Sequence, residues 1–82
     1  MIDLASVLFW VKEEIKYCEN KVKLYQDLMN KNIYHLDFGV YSAFLIEYRS
    51  KQYAYQEIEN YIKKNAPEIA EYVERLGNEQ NS

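Results

Sequence analysis

From Asp3 to Met29 the apolar positions fall in a stripe. Leu4, Leu8, Val11, Ile15, Cys18, Val22, Tyr25 and Met29 recur with alternating steps of four and three residues. That spacing keeps one narrow seam on a single side of a helix, as in a coiled coil. No Gly or Pro interrupts it, and Asp3 suits the N-cap, so the pattern predicts a helix over residues 3–30. A second file, Trp10, Tyr17 and Leu24, repeats every seven residues, with Phe9 beside its start. It points away from the seam, so one partner helix cannot cover both files.

Residues 30–37 form a short connection. Asn30 and Asn32 tolerate a helix end, and Asp37 can cap the next helix. A link this short makes the flanking helices antiparallel neighbours. The second helix is expected over residues 38–64. Tyr34, Tyr41, Tyr48 and Tyr55 recur every seven residues, Ile62 continues the file, and Phe44, Leu45, Ala54 and Ile58 broaden it. This file is expected to pack on the first seam. Arg49-Ser50-Lys51-Gln52 interrupts it with a whole polar turn, which predicts a core strong at both ends and polar at its waist. With the turn centred near residue 34, Gln52 falls opposite Ile15 and Lys16, and Glu13, Glu14 or Glu19 can reach Arg49 or Lys51. The polar turn is either an exposed face with long side chains over the core or a layer that fixes register.

Asn65-Ala66-Pro67-Glu68 ends this helix and starts another. Pro67 fits a first turn, and Asn65 with Glu68 three residues on imitates a capping box. A third helix is expected over residues 66–76, with Ile69, Tyr72, Val73 and Leu76 as its apolar face and Gly77 as its terminator. Residues 78–82 read as a disordered polar tail. The expected fold class is therefore all-α: a long antiparallel helical hairpin plus a short C-terminal helix, in one domain over residues 1–77.

Size sharpens this picture. A compact chain of 82 residues has a radius of gyration of roughly 12 Å. A helix of about 27 residues is about 40 Å long. The two are incompatible, so the molecule is expected to be a rod. A rod buries little surface, and association relieves that deficit. Of the 49% hydrophobic residues, nine side chains are Tyr, which suits half-buried positions and interfaces.

Charge and chemistry narrow the function. A net charge of -3 from ten basic and thirteen acidic residues argues against phosphate neutralisation, and Glu13, Glu14 and Glu19 are interleaved with Lys12, Lys16, Lys21 and Lys23. Nucleic acid is thus an unfavoured partner. A membrane partner is equally unfavoured: no apolar run approaches ~18 residues, and the N-terminal segment lacks a basic flank. The single Cys18 lies in the seam as a buried thiol, and the chain reads as cytoplasmic. His35 is the only histidine and has no nucleophile or acid at catalytic spacing. Glu68, Glu71 and Glu74 read as a solvated face, Glu57 and Glu59 point to different sides, and two glycines cannot build a phosphate loop. No enzyme, metal site or cofactor is expected.

The surplus apolar surface remains. Phe9, Trp10, Tyr17 and Leu24 on the first helix, with Ile46, Tyr53 and Tyr61 on the second, exceed what one hairpin can bury and form the candidate interface. The expectation is a homodimer of hairpins forming a four-helix-type bundle, and a non-enzymatic protein-interaction module that docks on a larger protein as regulator, adaptor or inhibitor. The general build resembles that of small acidic helical proteins of mobile elements, phage-encoded inhibitors among them, without a shared motif. A structural or assembly subunit and a weak nucleic-acid binder are the alternatives.

Overall fold

A computed structural model describes residues 3–31 and 38–80. Three helices succeed one another: α1, Leu4–Lys31; α2, Phe38–Asn65; and α3, Pro67–Gln80. The radius of gyration is 16.1 Å and the extents are 49 × 27 × 22 Å, so the molecule is the expected rod. α1 and α2 pack along their length, and α3 touches both.

The long helices are antiparallel. Trp10 meets Tyr55, Tyr17 meets Tyr48, and Tyr25 meets Tyr41, so each step up α1 matches a step down α2. The midpoints of these pairs fall about one residue before the expected centre at residue 34, so Gln52 is level with Glu13 rather than with Ile15 and Lys16; the connection itself, with the expected Asp37 cap, Tyr34 and His35, lies outside the described residues. α1 starts as its sequence predicts. Asp3 accepts the Ser6 N–H through Oδ1 at 2.7 Å, and its carbonyl accepts the Val7 N–H at 3.1 Å. The Ser6 backbone hydrogen bond is the main reason the Asp3 carboxyl titrates below its ordinary range.

The seam of α1 is buried at Leu8, Val11, Ile15 and Cys18. The inner face of α2 is a heptad of its own: Phe38, Tyr41, Leu45, Tyr48, Gln52, Tyr55, Glu59 and Ile62, at steps of three and four, are all buried or half-buried. At its waist Gln52 faces inward, while Lys51 is exposed. The expected ion pairs from the polar turn to Glu13, Glu14 or Glu19 give way to a local one. Lys51 reaches Glu47 at 3.1 Å, one turn back on the same helix, where little chain entropy is lost.

Among the described residues, Leu8, Ile62, Ala70 and Val73 form a buried cluster, with Ala5, Val7, Phe9, Ala66 and Ile69 packed around it, where α3 docks. Toward the other end Tyr25 stacks on Phe44 and Tyr48 with centroids 5.3 and 5.9 Å away, and Leu45 is buried; the tip of that end, Tyr34 included, lies outside the described residues. α3 contributes Ala70 and Val73 to the buried cluster, with Ala66 and Ile69 of the same segment packed against it.

Three expectations about α3 are corrected. Asn65 is the last residue of α2, and its side-chain amide donates to the Tyr61 carbonyl at 2.9 Å. It therefore satisfies an orphan acceptor of α2 rather than an orphan donor of α3. Ala66 takes the N-cap place, its carbonyl accepting from Ile69 and Ala70. The inner face holds Ala70 with Ile69 and Val73, while Tyr72 is 49% exposed, because the docked face centres on Val73 and Tyr72 lies about 100° from it around α3. Finally, α3 runs through Gly77 to Gln80, so Gly77 is no terminator and Asn78 to Gln80 are not a disordered tail. Among the described residues no glycine has a positive φ. Gly costs about 1 kcal/mol against Ala in a helix interior, which weakens a helix without ending it.

Candidate interaction surface

α3 divides the hairpin into a covered side and an open side. At 100° per residue, Trp10 lies about 100° from Phe9 and about 160° from Lys12 around α1. Phe9 packs into the α3 cluster, and Lys12 lines the groove of about 420 Å³ between α1 and α3. Trp10 and its file therefore face the side that α3 leaves bare. There Trp10 is 53% exposed, and Tyr17 and Leu24 are about half exposed.

The tyrosine file of α2 borders the same face. Trp10 meets Tyr55 edge-on at 5.4 Å, and Tyr17 meets Tyr48 at 6.0 Å. These contacts correct the expectation that the tyrosines serve the α1 seam and leave the Trp10 file alone. Tyr48 serves both, touching Tyr25 of the seam and Tyr17 of the file. Ring edges against ring faces satisfy the aromatic quadrupoles, yet a T-shaped contact leaves much of each ring in water. Phe44 and Ile58 extend the face along α2, each about 40% exposed.

Lysines and glutamates punctuate this face. The Lys21 ammonium lies 5.5 Å from the Tyr17 ring centre, and the Lys51 ammonium 5.4 Å from that of Tyr48. The hydrogen bond to Glu47 holds the Lys51 ammonium above its ordinary range. A hydrogen bond between the Tyr48 and Tyr17 hydroxyls is the main reason the Tyr48 phenol is raised, with burial second. Behind the face, burial pushes the Cys18 thiol up, and the nearby Glu14 carboxylate adds to this. A thiol so held is a packing group and a poor nucleophile.

The seven candidate residues do not form one surface. Phe9 is half-buried under α3. Trp10, Tyr17 and Leu24 share the open face. Ile46, Tyr53 and Tyr61 are 64%, 67% and 69% exposed, and helical spacing puts Ile46 and Tyr53 on the outer side of α2, away from α1. The sequence reading missed Tyr48, Tyr55, Phe44 and Ile58 as members of the open face. The signal was present in the three-four alternation of α2, which shows that the tyrosines sit at one edge of a seam and so border whatever lies beside it.

On the covered side Glu59 and Glu13 are engaged. Glu59 pairs with Lys12 at 3.1 Å across the helices and with Lys63 at 3.5 Å along its own. Glu13 holds Lys16 at 3.7 Å. Glu68, Glu71 and Glu74 are exposed on α3. Among the described residues, no three His, Cys, Asp or Glu side chains are grouped to hold a metal ion, and no helix is long and apolar enough to cross a membrane. Comparison of the chain with protein-family models, with curated proteins and with solved structures finds no match.

Proposed function

We propose that this protein is a non-enzymatic protein-interaction module, a small regulator, adaptor or inhibitor that pairs with a second copy and docks on a larger protein. The observation that carries this reading is the open aromatic face, Trp10–Tyr17–Leu24 bordered by Tyr48 and Tyr55, opposite the side that α3 covers. Large rings half in water on a rod-shaped chain are the composition and shape of an interface core awaiting cover. The accessible surface supports the same reading. It is 6343 Å², against about 5,200 Å² for a compact protein of this mass. Two hairpins meeting through this face make a four-helix-type bundle with both α3 helices outside.

The outer patch of α2, with Ile46 and Tyr53, stays free in that dimer and is where the larger partner docks. In the alternative of an assembly subunit, the same patch carries further copies. The cytoplasm remains the proposed location, supported by the buried free thiol of Cys18.

Sedimentation of the wild type and of Trp10→Asp tests the proposal. The wild type is expected to be a dimer at micromolar concentration, and Trp10→Asp a monomer with reduced helical content. A wild-type monomer refutes pairing, and species larger than a dimer decide for the assembly subunit.

A further inference from the structure

The open stripe of α1 reads Trp10, Glu14, Tyr17, Lys21, Leu24: apolar, acid, apolar, base, apolar, at steps of 4, 3, 4 and 3. Turned end for end about Tyr17, this order meets itself with apolar against apolar and acid against base. Glu14 and Lys21 are seven residues apart, about 10 Å along the helix, too far to pair within one chain. Both are half-buried beside the face.

We infer that the second copy docks antiparallel on this face, α1 against α1, about a two-fold axis at Tyr17, with Glu14 of each copy paired to the partner's Lys21. The inference rests on the pairing proposed above and gives it a geometry. α2 carries the same symmetry. Tyr48 is level with Tyr17 through their ring contact, so the axis crosses it too. Glu47 and Lys51, paired with each other within the chain at 3.1 Å, fall on its two sides, so the partner's copy of this pair lies beside them with opposite charges adjacent. Trp10 of one copy lies over the partner's Leu24, each seven residues from the axis. Lys21 and Lys51 already lean toward the central rings.

The area suffices. α1 has 28 residues, about 42 Å of helix, and two helices side by side are about 20 Å wide. Their footprint is about 800 Å² per copy, the usual size for a stable interface. An unrelated partner gives no reason for acid and base to straddle the middle ring; a second copy does.

Charge reversal tests this by sedimentation over a concentration series, with circular dichroism to confirm the fold. Glu14→Lys alone and Lys21→Glu alone each place like charges together twice per dimer. Each is expected to raise the dimer Kd about ten-fold at low salt, and the double variant to return within about three-fold of wild type. A dimer that the double variant does not restore overturns the antiparallel pairing and leaves the dimer standing. Restoration by Glu14→Lys with Lys51→Glu overturns it in favour of an axis along the helices, with α1 over the partner's α2. A wild-type monomer overturns both the pairing and the dimer.

Discussion

Val73→Ala measures how much the α3 junction contributes. Val73 is 1% exposed and belongs to the cluster with Leu8, Ile62 and Ala70. Truncation removes two methyl groups from that cluster, about 1.6 kcal/mol of transfer energy at ~0.8 kcal/mol per carbon. A residual cavity adds to this, though α3 is short and free to settle inward, so the added cost is about 0.5 kcal/mol. Ala is the better helix former and returns about 0.5 kcal/mol. The net loss is about 1.5 kcal/mol, which lowers the melting temperature by roughly 6–12 °C in a domain of this size. The assay is thermal unfolding tracked by circular dichroism at a fixed protein concentration, because pairing would make the midpoint concentration-dependent. Ile46→Ala, on the outer side of α2 and 64% exposed, is the control and is expected to change stability by less than about 0.5 kcal/mol. If Val73→Ala is as mild as Ile46→Ala, the three-helix cluster is not the core.

Gly77→Ala is expected to stabilise by about 0.5–1 kcal/mol, since nothing lies within 4 Å of the added methyl group and the backbone is helical there. Destabilisation in the same melts would restore Gly77 as a helix terminator. Glu59→Gln removes the shared partner of Lys12 and Lys63, whose side chains are partly exposed. It is expected to cost about 0.5–1 kcal/mol at low ionic strength and less at about 1 M salt, and a cost unchanged by salt would show that packing rather than charge is lost.

Much of the architecture was legible because it depends on periodicity. The seam of α1 and the capping Asp3 obey local rules, and so does the antiparallel register, since a short link leaves few ways to lay two long helices together. What failed depended on tertiary context. Asn65 has the right chemistry for either helix end, and only the positions of Tyr61 and Ala66 decide which one it serves. Gly77 ends a helix only where the chain turns to a positive φ, and nothing next to it forces that turn. The polar turn at Arg49–Gln52 looked able to reach α1, yet Glu47 lies one helical turn from Lys51. For the surface, apolar surplus was visible in the sequence, but its division was not. Phe9 and Trp10 are adjacent in sequence, and the docking of α3 alone sends one into the core and leaves the other in water.

The cluster of Leu8, Ile62, Ala70 and Val73 ties three helices together at one place. The free energy of local opening is set by the contacts an opening breaks. Lifting α3 away uncovers aliphatic side chains of both long helices at once, so α3 leaves only at the cost of the whole cluster and behaves as a clasp on the hairpin rather than as a loose appendage.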